Sequence, residues 1–246
     1  MKKLYFSLLL SALFVLVLNI QTSAQITLQI GGGLGYSVPT SDYGGSVADF
    51  YNGTKYGMKS GINFHGKARV GILFLNAFGE VGYTMFSGDG DVQSGGGTIK
   101  NSQKIISMKI GPEFPINIPL SPITPYVQGF VALNTFSGDV EFKGVAGVPS
   151  GKKDLASAIR FGLGAGVGVM FSLGGLKLDA NIQYHLLNFA GKEYKIDNVT
   201  SHTLLDNFTN LNDNKDALAG TTTDHFISNS RGISAIEFKL TVLFGL

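Results

Sequence analysis

The 246-residue chain contains no cysteine. That absence excludes a disulfide framework, thiolate metal ligation and lipidation through a cysteine. A basic surplus is missing as well. With Lys2 and Lys3 set aside, the basic count falls from 19 to 17, equal to the 17 acidic residues. A chain so balanced has no electrostatic footprint for nucleic acid. Beyond residue 24 there is no run of about eighteen apolar residues, so no membrane-spanning helix is expected. Metal-ligand spacing is also lacking, because His65, His202 and His225 stand on separate segments,. No Ser/His/Asp grouping can be assembled, so neither enzymatic activity nor a cofactor is expected.

What is present begins with MKKLYFSLLLSALFVLVLNIQTSAQ, which has two lysines, an apolar stretch from Leu4 to Ile20 and the small-residue exit Thr22-Ser23-Ala24. This is the pattern of a secretory signal, so residues 1–24 are expected to be cleaved and residues 25–246 to form one domain. Hydrophobic residues make up 44% of the sequence and glycine occupies 34 positions, a rich content for a secreted soluble domain,.

Eight segments alternate apolar with polar or small residues and end in turn residues, as strands with two unlike faces do. They run about 25–36, 58–73, 76–86, 105–116, 125–136, 159–173, 176–188 and 233–246. The second places Met58, Ile62, Phe64, Ala68, Val70 and Ile72 on one face, against Lys59, Asn63, His65, Lys67 and Arg69. The last sets Ile236, Phe238, Leu240, Val242 and Phe244 against Glu237, Lys239 and Thr241. Across all eight, the apolar faces carry no Asp, Glu, Lys or Arg.

Connections alternate in length too. Long polar stretches (37–57, 87–104, 137–158 and 189–232) take turns with short ones at Phe74-Leu75, 115–124 and Gly174-Gly175. An all-β, antiparallel up-and-down eight-stranded transmembrane β-barrel predicts this pattern, with long loops outside and short turns on the periplasmic side.

Alternation alone also fits a soluble lipocalin-like barrel, which turns its apolar face inward around a ligand. The segment FGLGAGVGVMF separates the two. Phe161 and Phe171 are ten residues apart, about 33 Å along a strand and roughly 25 Å vertically after tilt, the height of a lipid-facing band bordered by aromatics. On the other face stand Gly162, Gly164, Gly166 and Gly168. Outside a soluble barrel these glycines would only weaken the strand, whereas in a narrow lumen they leave space for Tyr126, Gln128 and Phe130 and for Asn181, Gln183 and His185. A dinucleotide-binding loop is excluded because valine occupies the place of its third glycine.

The start QITLQIGGGLGYSVP, the hairpin IRFGLGAGVGVMFSLGGLKLDANIQYHL and the terminal EFKLTVLFGL resemble the eight-stranded outer-membrane β-barrel family of the OmpA/OmpX type in Gram-negative bacteria. The resemblance implies a multi-pass barrel surrounded by outer-membrane lipid and handled by the barrel-assembly machinery during biogenesis. Family members end in an aromatic residue read by that machinery; here Leu246 departs from the pattern, with Phe244 two places earlier.

The expected lumen network is Lys59, Lys67, Arg69, Glu80, Lys109, Glu113, Arg160, Lys177, Asp179, Glu237 and Lys239. In a narrow barrel such charges must pair, so a side-chain-filled lumen with a structural or surface-interaction role is the first expectation. A small pore is the alternative, preferring anions because basic residues outnumber acidic ones. A lipid-modifying enzyme is a further one, but in IQYHLLN the place of a deacylase serine, two after His185, is Leu187,. Asn212, Asn214 and Asp216 imitate a calcium loop, yet Ala217 and Thr223 replace its glycine and closing glutamate,. Asp89 and Asp91 form only a single acidic pair. The loop 189–232 carries Tyr194, Leu204, Leu205, Phe208, Leu211 and Phe226, which either meet a surface partner or rim, or pack the loop against itself,.

Overall fold

A computed structural model of the chain describes residues 27–72, 74–92, 96–196, 203–219 and 227–245. The expected leader, together with His202, His225, Phe226 and Leu246, lies outside the described residues. The strands are β1 (Thr27–Ser41), β2 (Gly61–Ile72), β3 (Leu75–Asp91), β4 (Thr98–Pro115), β5 (Ile123–Lys143), β6 (Gly151–Leu173), β7 (Leu176–Ala190) and β8 (Ile233–Gly245). Two short helices sit in the longest connections, α1 (Val47–Tyr51) between β1 and β2, and α2 (Asp206–Thr209) between β7 and β8.

Among the described residues these eight strands form a closed barrel in sequence order, every neighbour antiparallel, and β1 pairs with β8 from Gln29↔Gly245 to Ser41↔Ile233. Closure leaves no unpaired strand edge, the condition for backbone to cross hydrocarbon. Ile62, Phe64, Val81, Met108, Ile110, Val131, Val167, Ile182, Phe238 and Leu240 all point outward and are exposed. Among the described residues no helix is long and apolar enough to cross a membrane.

Four strands run further than their sequence pattern indicates. Alternation with an apolar outer face ends near Phe86, Ile105, Phe136 and Ile159, yet β3 continues to Asp91, β4 begins at Thr98, β5 reaches Lys143 and β6 begins at Gly151. The expected loops 87–104 and 137–158 shrink to 92–97 and 144–150. In the extensions the pleat keeps its direction while the chemistry exchanges sides. Ile99, Val140 and Phe142 are buried inside, and Lys100, Glu141 and Lys143 point out. A barrel that has left the bilayer meets water outside, so its apolar residues turn inward.

The space inside these extensions is filled from the loops. Tyr43, Tyr56 and Met58 of the first connection pack with Phe86, Ile105, Phe136, Leu187 and Leu211. Farther out, Val47 and Phe50 of α1 join Ile99, Val140, Phe142 and Phe208 of α2. Met58 was expected on the lipid face; it lies before β2 begins and is buried in this inner cluster instead. Helix α1 starts with a capping box, in which the Ser46 amide donates to Asp49 Oδ2 at 2.8 Å and the Asp49 amide to Ser46 Oγ at 3.1 Å,. The hydrogen bonds from Ser46 hold the Asp49 carboxyl below its ordinary range.

Candidate functional site

The interior of the barrel, behind its apolar outer wall, is where this chain concentrates polar chemistry. Nearest the turn side, β2 directs Lys67 and Arg69 across the lumen to Glu113 of β4 and Asp179 of β7. Lys67 Nζ lies 3.1 Å from Glu113 Oε2 and 2.8 Å from Asp179 Oδ2. Arg69 Nε lies 2.6 Å from Glu113 Oε1, and its Nη2 is 3.0 Å from Asp179 Oδ2. The Tyr126 hydroxyl donates to the other Asp179 oxygen. Two cations and two anions thus tie opposite walls together with no excess of either sign.

A second quartet lies one level toward the loops. Lys109 Nζ is 2.7 Å from Glu237 Oε2 and 3.5 Å from Glu80 Oε1, while Lys239 is 3.0 Å from Glu237 Oε2 and also pairs with Glu80. Glu237 accepts two further hydrogen bonds, from Gln183 Nε2 at 2.6 Å and from His185 Nδ1 at 3.0 Å. Because Asn134 Nδ2 faces the other ring nitrogen of His185 at 3.3 Å, the ring hydrogen belongs on Nδ1,. Aromatic rings fill the space between the quartets: Lys67 Nζ lies 5.0 Å from the Phe78 ring centre, and Lys109 Nζ 5.0 Å from that of Phe130,. Every member of both quartets is buried. Low-dielectric charges persist only in such mutual satisfaction.

The glycines of β6 explain why so much side chain fits. A Cβ on Gly168 would strike the Tyr126 ring, and one on Gly164 the Phe130 ring and the Tyr184 carbonyl. On Gly162 it would come within 2.5 Å of Asn134 Nδ2, and on Gly166 within 2.6 Å of the Ile182 carbonyl oxygen. Their outward neighbours Phe161 and Phe171 are 61% and 36% exposed, with Ile159 and Leu173 extending the apolar face one position past each.

Three of the expected lumen charges lie elsewhere or in other company. Lys59 is not in the lumen: it precedes β2, is exposed, and pairs with Asp89 at 2.9 Å on the outer surface. Lys177 is half-buried at the turn-side mouth, next to the first quartet. Arg160 is buried at the loop end, where it forms a two-point ion pair with Asp213 of the last loop, Nη2 to Oδ1 at 2.8 Å and Nε to Oδ2 at 2.9 Å. Asp213 also accepts from Asn188 Nδ2 at 2.9 Å and from the Glu193 amide at 3.0 Å. Arg231 lies 4.0 Å over the Tyr56 ring and donates to the Asn212 carbonyl at 2.5 Å. Tyr56 in turn donates to the Leu211 carbonyl at 2.7 Å, and burial pushes its hydroxyl pKa up, so it remains a neutral donor.

Sequence reasoning missed Asp213, Asn188 and Arg231 as parts of this latch. The only signal was the Asx-rich run 212–216, which resembles a cation loop. Its side chains instead serve the protein: Asn212 Oδ1 accepts from the Lys195 amide at 2.7 Å, and Asp216 Oδ1 from the Leu218 amide at 2.8 Å. Among the described residues no group of three or more His, Cys, Asp or Glu is placed to hold a metal ion.

The family model described as outer membrane protein beta-barrel domain matches residues 10–204. The chain belongs to that family. Membership places this barrel in the bacterial outer membrane and makes its apolar outer wall the lipid-facing one. No curated protein sequence matches it. Among solved structures it is similar to Neisserial surface protein A, at 15% identity and TM-score 0.48, covering 88% of this barrel's chain and 96% of the other. OprG of Pseudomonas aeruginosa matches at 9% identity and TM-score 0.48, with 93% and 99% covered. A major outer membrane protein of Thermus thermophilus matches at 11% identity and TM-score 0.49, with 89% and 99% covered.

Proposed function

We propose that this barrel is a non-conducting, non-enzymatic element of the outer membrane, acting in envelope structure or in contact with a surface partner. The observation that supports it is the stack of two charge-balanced quartets beneath a loop-built apolar plug. An ion entering the lumen would have to break buried pairs that span opposite walls, and little space remains for the water it needs. The two quartets hold four cations and four anions, so the basic excess behind an anion-preferring pore is absent from the part of the lumen they fill.

In the last loop, Phe208 and Leu211 are buried against the barrel mouth, with Leu204 and Leu205 packed on the cluster that holds Phe208. A surface partner would meet the exposed polar residues Glu193, Lys195, Asn214 and Lys215, together with exposed Leu218. Planar-bilayer recording of the purified protein tests the proposal. A baseline without stable steps is expected, and reproducible open steps of wild-type protein would overturn it. Lipid A analysis in cells with and without the protein tests the non-enzymatic part, with identical profiles expected.

A further inference from the structure

The turn between β4 and β5 reads Ile116-Asn117-Ile118-Pro119-Leu120-Ser121-Pro122, and from Phe114 to Tyr126 there is no charged residue. Turns that enter water are dominated by Gly, Pro, Asn, Asp and Ser; this one holds Asn117, Pro119, Ser121 and Pro122 but sets large apolar residues between them. This one presents Ile116, Ile118 and Leu120 as exposed side chains, Leu120 completely so. Leu120 also has φ of 62°, the left-handed region that bulky side chains rarely adopt. Among the described residues nothing packs on it to favour that conformation.

The turn is nevertheless firmly built. The Ile116 amide donates to the Pro125 carbonyl at 2.7 Å, the Ser121 amide to the Ile118 carbonyl at 3.2 Å, and the Ser172 amide of β6 to the Pro122 carbonyl at 2.9 Å. It is also continuous with the lipid-facing wall. Ile106, Met108, Ile110 and Phe114 follow one another down the outside of β4 and lead directly into Ile116 and Ile118, without a polar border. The neighbouring β6–β7 turn adds exposed Leu173 and Leu176.

We infer that the β4–β5 turn is a lipid-inserted tip, whose occupant is the acyl-chain boundary of the periplasmic leaflet and whose anchor is Leu120. Burial in lipid offsets the strain at Leu120 and removes from water the apolar surface that the turn exposes. The inference rests on the membrane placement of the barrel.

The cysteine-free chain allows a clean test. Leu120→Cys, Ile118→Cys, Val131→Cys and Lys100→Cys are each labelled with an environment-sensitive fluorophore. The proteins are then folded into phosphatidylcholine/phosphatidylglycerol vesicles, and folding is verified by mobility on unheated gels. Quenching by nitroxide lipids is compared with quenching by iodide present on both faces of the membrane. Labels at 120 and 118 are expected to show blue-shifted emission and severalfold stronger quenching by lipid than by iodide, as at mid-wall 131. Iodide quenching at 118 and 120 as strong as at 100 would overturn the inference. If the label at 131 were also iodide-accessible, the membrane placement itself would fail, a distinguishable result.

Discussion

Glu237→Gln perturbs the interior at the acceptor on which most donors converge. In the wild type this carboxylate serves Lys109, Lys239, Gln183 and His185 at 2.6 to 3.0 Å. The amide keeps the shape but removes the charge, leaving two buried ammonium groups to share Glu80. Breaking one side of a buried ion pair costs about 3–5 kcal/mol, a large fraction of the roughly 5–15 kcal/mol that holds a typical domain together. With a urea dependence of about 2 kcal/mol per molar, the unfolding midpoint in phospholipid vesicles should fall by about 1.5–2.5 M. Adding Lys109→Met removes the surplus cation and leaves Lys239 paired with Glu80, so the double variant should recover at least half of the loss. A single-variant loss under about 1 kcal/mol, or losses of Glu237→Gln and Lys109→Met that simply add, would refute the claim that the quartet acts as a coupled unit.

Gly164→Ala should lower the same midpoint by about 1–3 kcal/mol equivalent, because the Tyr184 carbonyl cannot move aside,. Gly79→Ala, where an added Cβ meets nothing within 4 Å, should be close to neutral. Asp213→Asn weakens the two-point hold on Arg160, so protease cleavage within 191–232 of vesicle-embedded barrel should rise roughly tenfold or more, at 1.4 kcal/mol per decade; unchanged cleavage would reject the latch. Asp49 has a folded pKa below its ordinary 3.8, so its stabilising capping box is fully formed above that value and is lost as pH falls through the lowered one. Amide exchange at Ser46 should therefore accelerate only in strong acid, relative to an unprotected loop amide.

How much of this was legible follows from which residues alternate against a constant surrounding. Within the bilayer the surroundings are uniform, so Ile106, Met108 and Ile110 mark the outer face of β4 and Lys109 and Glu113 its inner face, with no structure needed. The extensions were invisible for a physical reason: Ile99 and Phe142 keep the strand period but sit on the face that polar residues occupy lower down. A reading that fixes one apolar face must end each strand where the solvent changes. Lys59 shows the converse limit, since it shares the parity of Lys67 and Arg69 but lies before β2 begins. Asp213 comes from a loop with no period, and only its burial beside Arg160 reveals its role.

The exchange of faces also explains why the interior has two chemistries along one set of strands. In the bilayer the medium outside is as apolar as any core, so an apolar lumen would gain nothing from burial, and van der Waals packing and polar pairing must specify the interior. The quartets and the glycine-cushioned rings do this. Above the bilayer the medium outside is water, apolar burial again yields about 25 cal/mol per Å², and Tyr43, Phe86, Ile105 and Phe136 form a conventional core. The two switches coincide in height. On β5 the inner face passes from Asn134 to Phe136, Val140 and Phe142 where the outer face passes from Leu133 to Thr135 and Ser137, and on β3 Thr84 gives way to Phe86 inside where Met85 gives way to Ser87 outside; on β4 Ile105 and Ile99 turn inward, with buried Gln103 and Asn101 between them. Two independent faces changing character at one level is the mark of a single cause, the outer border of the membrane, which the chain therefore records at Phe136 and Phe86.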